Sequence, residues 1–267
     1  MILVDFNQLV ISNIFGGNCV EHGCVDDDKL SKMVNSQLSG LLTTYSTFGG
    51  VILCCDSESE NYWRRQVFPY YKSNRADTIG QITYLEMRRT LRELLKRTPG
   101  MMWVLEVDAC EADDLIAVYC MATYQFQSHI IISADKDFKQ LHPTPEVRSI
   151  GIGVRQYSTI QKKMIECDDP QRFLFEQTIR GDRGDGIPNI LSPSNSIVDG
   201  IRQTPITQKY LDSCYDLLMV KNVPLTKVFS HSEIAAFSRN SDLINFQAIP
   251  TQIRMKIIKT FIKRGIL

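Results

Sequence analysis

The 267-residue chain is 43% hydrophobic and carries 30 basic and 30 acidic residues, enough apolar content for a full core in one large domain or in one domain with an elaborated C-terminal part. This excludes a disordered chain, and no apolar run approaches the roughly 20 residues of a membrane span. Met1 runs straight into a strand pattern without a secretory signal, and the eight cysteines form no C-x-x-C pair, so a cytoplasmic protein with reduced structural thiols is expected.

The first hydrophobic run, Ile2-Leu3-Val4, ends at Asp5. Asp27 to Tyr45 is a predicted helix, with Leu30, Met33, Val34, Leu38, Leu41 and Leu42 near 3.6-residue spacing. Gly49-Gly50 then punctuates before Val51 to Cys55, which ends at Asp56. The stretch from Ser57 to Thr78 holds Tyr62, Trp63, Phe68, Tyr70 and Tyr71 around Pro69 without a clean period, and a mobile excursion is expected there. Gly80 to Arg97 returns to helix, with Arg88, Arg92 and Lys96 in an outward stripe, and Pro99-Gly100 stops it.

Met102 to Leu105 leads into Glu106 and Asp108, and Glu111-Ala112-Asp113-Asp114 opens a helix reaching about Thr123. Ile130 to Ile132 leads into Asp135 and Asp137, completing a βαβ unit. Val147 to Ile150 and Val154 to Tyr157 read as an edge hairpin turning at Gly151-Ile152-Gly153. From Pro170 the pattern is mostly helical, which divides the chain softly into 1–169 and 170–267.

Short apolar runs of this kind read as buried parallel strands, so their terminal acids collect along one rim of one sheet, where open α/β sheets place their sites. Each acid alone has a plain structural use: Asp113 and Asp114 favour a helix dipole, Asp56 caps a turn, and Asp135-Lys136-Asp137 makes a solvated loop. Converging together, they repel unless a cation sits among them, and hard oxygen donors suit Mg²⁺ or Mn²⁺. A second acidic element, Gly181 to Pro188, presents Asp182 and Asp185 on a glycine-rich turn. A divalent-metal enzyme acting on phosphates is therefore expected.

Zero net charge argues against a nucleic-acid binder, but the distribution argues for one. Between Glu60 and Arg97 there are nine basic residues against four acidic ones, and Ala248 to Leu267 has five basic residues and no acid. An acidic centre flanked by basic surfaces fits a metal-dependent nuclease. Arg64, Arg65, Arg88, Arg92 and Lys96 are the candidate nucleic-acid contacts. Two rivals are a Toprim-like phosphotransferase or phosphatase and a non-catalytic, structure-selective DNA-binding protein. Asp5-Phe6-Asn7 stands where a phosphatase would show D-x-D, and the second rival predicts eroded acids, which this chain keeps.

The chain resembles the FEN-like 5′-nucleases of the PIN-like superfamily. The stretches that carry the resemblance are Leu3 to Phe6, Asp56 with Tyr62 to Arg65, Tyr70-Tyr71-Lys72-Ser73-Asn74-Arg75, Glu111 to Asp114, Ile132 to Phe138 with Gln140 to His142, and Gly181 to Asp185. The resemblance implies a three-layer α/β nuclease core with a mostly parallel central sheet, a flexible arch near 57–80, and a helical C-terminal part that binds duplex. It implies two Mg²⁺ ions, with Mn²⁺ substituting: Asp5, Asp56, Glu111, Asp113 and Asp135 serve the first with Asp114 adjacent, and Asp137, Asp182 and Asp185 serve the second. Lys72 and Arg75 would contact the scissile phosphate, with Tyr71 available to stack on a base. The implied activity is 5′-to-3′ exonuclease and flap endonuclease cleavage leaving a 5′-phosphate, including ribonuclease H action that removes RNA primers and flaps during phage DNA replication. The implied substrates are DNA and RNA–DNA hybrids with 5′ ends or flaps. A monomer in the host cytoplasm is expected, with a phage single-strand-binding protein and sliding clamp as partners. Ile187 to Ser194 lacks the family's G-V-x-G-I-G hairpin, so altered duplex binding is expected and a K⁺ site is not.

Overall fold

The computed structural model describes residues 1–59, 61–75, 78–79, 82–83, 89–90, 92–94, 102–149, 151 and 153–267. Contacts divide the chain into two units, one of Met1–Asn61, Ala76–Asp168 and Gln252–Leu267, the other of Tyr62–Arg75 and Asp169–Thr251. Among the described residues no helix is long and apolar enough to cross a membrane.

The first unit is built on strands β1 (Ile2–Asp5), β2 (Val51–Cys55), β3 (Trp103–Glu106), β4 (His129–Ile132), β5 (Val154–Ser158) and β6 (Lys163–Ile165), in the order β6-β5-β4-β1-β2-β3. All neighbours are parallel except the antiparallel pair β5–β6. A parallel strand is covered on both faces, which is why runs such as Val51 to Cys55 are apolar throughout. Ile2, Val4, Val51, Leu53, Ile130 and Ile132 share a core with Phe6, Val10 and Ile14 of α1 (Phe6–Gly16) and Leu30, Val34 and Leu38 of α2 (Asp27–Thr44). The alternate residues Leu3, Ile52, Cys54 and Ile131 are also fully buried, on the face where α3 (Ala112–Thr123) packs. The result is a three-layer α/β core.

Two local differences from the sequence expectation stand out. No helix was expected between Asp5 and Asp27, yet α1 fills that place; Val10-Ile11 and Ile14-Phe15 make it apolar around much of its circumference, which blurs the helical period. Of the hairpin expected between Val147 to Ile150 and β5, Val147 to Ser149 is not a strand, and Ile150 and Ile152 lie outside the described residues. Pro145–Ser149 is helical, with Pro145 at the first position where its fixed φ suits a helix, and β5 pairs with β4 and β6 instead.

The second unit contains α4 (Pro170–Arg180), α5 (Gln208–Tyr215) and α6 (His231–Ile244). Each helix starts on a capped residue: Asp169 accepts from Arg172 N, Thr207 from Tyr210 N, and Ser230 and Glu233 form a reciprocal capping box. Phe175, Ile179, Ile190, Leu211, Cys214 and Phe229 form the core of this unit.

Tyr62 to Arg75, part of the stretch expected to be a mobile excursion, belongs to this unit. Trp63–Val67 is helical, and Phe68 and Tyr71 join Ile187, Leu243 and Ile244 in a second cluster. The aromatics that blurred the sequence period give the segment its own apolar surface to bury. Residues 60 and 76–77 of that excursion, and most of the helix expected over 80–97, lie outside the described residues.

The last helix, α7 (Thr251–Lys263), returns to the first unit, burying Ile257 and Phe261 and setting the Phe261 ring 5.1 Å from that of Tyr119 on α3. Lys256 Nζ reaches Asp108 Oδ2 at 2.9 Å, so one cation of the basic C-terminal surface is tied to an acid after β3.

Candidate active site

The chain builds outward from β1 through β2 to β3 and then returns to β4 on the other side of β1, so the direction of winding reverses between β1 and β4. At such a switch point the loops leaving the strand ends diverge and open a crevice. Asp5 ends β1, Asp56 follows β2, Asp135 follows β4, and Glu111, Asp113 and Asp114 stand at the start of α3.

Of these carboxylates, Asp56, Glu111, Asp114 and Asp135 are each held by a backbone N–H group. Asp56 Oδ1 accepts the backbone N–H of Ala112 at 2.8 Å, joining the end of β2 to the start of α3. Asp114 Oδ2 accepts Glu111 N at 3.0 Å while the Glu111 side chain accepts the N–H of Asp114, a capping box that fixes both acids. Glu111, Asp113 and Asp114 offer carboxylate oxygens within 4.8 Å of one another. Asp135 Oδ1 accepts Asp137 N at 2.9 Å and so starts the 3₁₀ turn Lys136–Leu141 that carries Asp137.

Asp5 shows the electrostatic consequence. Desolvation first, and then the negative charges of Asp56 and Asp135, push its carboxyl up to about 7, against the lowering effect of bonds from Gln8 N and Ser133 Oγ. Its surface is nevertheless only part-buried, leaving it open toward a ligand. An all-carboxylate donor set that raises its own proton affinity fits a hard divalent cation, whose charge would relieve that repulsion.

The polar frame around these acids was not singled out from sequence. Gln8 Oε1 accepts Ala134 N at 2.5 Å, Ser133 Oγ donates to Asp5 Oδ2 at 3.0 Å, and Asn7 Oδ1 accepts Asp56 N at 3.3 Å. The one sequence signal available was a polar residue at an inward strand position, Gln156 on β5, which is 0% exposed.

Asp182 and Asp185 lie in the second unit with Tyr71, Lys72 and Arg75. Asp182 Oδ1 accepts Gly184 N at 2.8 Å and Asp185 N at 3.3 Å, and its backbone bridges to Ile187. The turn requires glycine at two points: Gly181 has φ +68° and Gly186 φ +72°, and a Cβ on Gly186 would stand 2.7 Å from Tyr70 O. Asp185 is the hub of this corner. Its carboxylate takes Arg75 Nη2 at 2.9 Å, the Tyr71 hydroxyl at 3.1 Å and Lys72 Nζ at 3.9 Å, and its carbonyl takes Lys72 N at 2.8 Å.

Two expected roles are corrected. Tyr71 is 1% exposed and donates to Asp185, so it does not offer a ring for stacking on a base. Arg64 is 2% exposed, with its guanidinium over the Trp63 ring at 4.6 Å and Nε donating to Leu243 O at 2.9 Å; it is an internal strut rather than a phosphate contact. Arg65 is half-buried beside the Tyr62 ring. Arg92 is exposed and paired with Glu58, while Arg88 and Lys96 lie outside the described residues.

Residues 2–169 match the family described as 5′-3′ exonuclease, N-terminal resolvase-like domain. The chain is 26% identical to the ribonuclease H of Enterobacteria phage T4 over 273 aligned residues, 97% of this chain and 85% of that one. It is 28% identical to the flap endonuclease Xni of Shewanella sp. (strain W3-18-1) over 169 residues, 62% of this chain and 61% of that protein. Its fold is similar to that of the bacteriophage T5 flap endonuclease crystallised as a pseudo-enzyme–product complex with DNA and metal ions. There the TM-score is 0.63 at 18% identity, over 98% of this chain and 97% of that one.

Proposed function

Because the chain belongs to the 5′-3′ exonuclease, N-terminal resolvase-like domain family, we propose that it is a metal-dependent 5′-nuclease, acting as a 5′-to-3′ exonuclease and flap endonuclease. The observation that carries this reading is the convergence of Asp5, Asp56, Asp135 and the Glu111, Asp113, Asp114 group at the switch point of the sheet. Substrates are DNA and RNA–DNA hybrids with a 5′ end or flap, and the biological task is removal of RNA primers and flaps in phage replication, carried out by a cytoplasmic monomer with a single-strand-binding protein and sliding clamp as partners.

Asp5, Asp56, Glu111, Asp113 and Asp135 hold Mg²⁺ in this reading, with Asp114 fixing Glu111 by its cap and Asp137 placed by Asp135. Asp182 and Asp185 serve a second ion, and Mn²⁺ substitutes for Mg²⁺. When bound, the metal supplies an activated water and neutralises charge on the phosphate and leaving oxygen. The chain's own contribution is to keep this cluster of like charges in place by backbone N–H bonds to Asp5, Asp56 and Asp135's own turn. Lys72 and Arg75 contribute positive charge toward the substrate backbone.

The test is incubation of 5′-labelled and 3′-labelled flap, nicked and RNA-primed duplexes with Mg²⁺, then with EDTA. Short 5′-labelled products that vanish with EDTA are expected. Binding without cleavage in Mg²⁺ or Mn²⁺ would leave a structure-selective binder instead.

A further inference from the structure

The turn that carries Asp135 is held from two sides by side-chain amides. On one side Gln8 Oε1 accepts Ala134 N. On the other, Gln156 Nε2 donates to Ser133 O at 2.9 Å and to Asp135 O at 2.7 Å. Both hydrogens of one NH₂ group are thus given to carbonyls flanking Ala134, and rotating either peptide plane breaks a bond, the one to Ser133 O being fully buried.

Gln156 is itself oriented. Its Oε1 pairs with His142 Nε2 at 3.0 Å, and Gln156 and His142 are 0% and 7% exposed. Burial lowers the His142 ring to about 4, so it is neutral, and the acceptor opposite Nε2 places its single proton there. Gln156 sits at an inward position of β5 between Val154 and Ser158, where an apolar side chain of equal length would fill the core without any polar group to satisfy. The amide's partners are the turn and His142.

We propose that Gln156, oriented by His142, is a positioning residue that fixes the direction of the Asp135 carboxylate toward the bound metal. This rests on the reading of Asp135 as a metal-holding residue. Through the bond from Asp137 N to Asp135 Oδ1, the same clamp sets the start of the turn bearing Asp137.

The test titrates Mn²⁺ alone into the full chain, reading free Mn²⁺ by electron paramagnetic resonance, with thermal unfolding in EDTA measured beside it. Gln156→Met is expected to weaken the tightest Mn²⁺ about tenfold, as loss of an outer partner of a metal ligand does. Ser158→Ala, the next inward position on β5, serves as the control: it lowers the melting temperature and leaves Mn²⁺ affinity within about twofold. Affinity within about twofold of wild type for Gln156→Met overturns the proposal, whatever its melting temperature. If Gln156→Met does not fold, His142→Leu decides, with about threefold weaker binding expected and unchanged binding overturning it. Asp135→Asn separates the two readings: if it keeps wild-type Mn²⁺ affinity the metal reading itself falls, and if it loses affinity while Gln156→Met does not, only the positioning role falls.

Discussion

Arg75 Nη2 donates to Asp185 Oδ1 at 2.9 Å, and the same carboxylate receives Tyr71 and faces Lys72. Arg75 is 53% exposed, so solvent and salt screen the pair, and its value lies in placing two cations rather than in stability. Replacing Lys72 and Arg75 together by alanine is expected to lower the single-turnover cleavage rate at least about tenfold, with duplex affinity at fixed salt falling less than about threefold. A collapse of affinity with a normal rate for bound substrate would make them general phosphate anchors.

In the proposed site Asp135 supplies charge to the metal and none to the phosphate contacts. Asp135→Asn should reduce cleavage by more than about a hundredfold while substrate binding stays largely intact. Wild-type turnover in saturating Mg²⁺ would remove it from the site.

Asp5 gives the metal-free protein an unusual pH dependence. An ordinary aspartate titrates near 3.8, and this one is pushed up to about 7 by desolvation and by Asp56 and Asp135. Between those values the folded state keeps a proton that the unfolded chain has released. Its stability contribution is therefore complete below about pH 4 and is lost as pH rises through about 7. In EDTA the melting temperature should fall across that window, less steeply in Asp5→Asn, and Mg²⁺ should restore it at the alkaline end. Parallel slopes for the two proteins would contradict the assignment.

Gly186 combines a left-handed φ of +72° with the carbonyl of Tyr70 only 2.7 Å from where a Cβ would stand. Gly186→Ala should cost about 1–3 kcal/mol from backbone strain and the forced shift. Chemical denaturation read on an aromatic signal of the second unit would show it; an unchanged midpoint would mean the turn relaxes freely.

Arg64 is buried against Trp63 with its Nε on Leu243 O. Arg64→Met is expected to destabilise by about 2–3 kcal/mol, because the carbonyl loses a charged donor and the ring its cation. The salt dependence of DNA binding should not move, since a lost phosphate contact would lower the slope by about 0.9. A shallower slope with unchanged stability would return Arg64 to the interface.

The sheet and its acidic rim follow from sequence alone, because a strand buried on both faces is apolar through its centre and changes to acid where it leaves the core. That rule placed Asp5, Asp56 and Asp135 at strand ends and Asp113 and Asp114 in the first turn of a helix. Tertiary structure decided what periodicity cannot carry. Arg64 and Tyr71 sit in a charged, aromatic stretch whose local pattern is equally consistent with an exposed arch, and only packing against Leu243 and Ile187 turned them inward. The roles of Gln8, Asn7, His142 and Gln156 depend on hydrogen bonds between groups up to 126 residues apart, and a polar side chain announces its partner only when the fold brings that partner within about 3 Å.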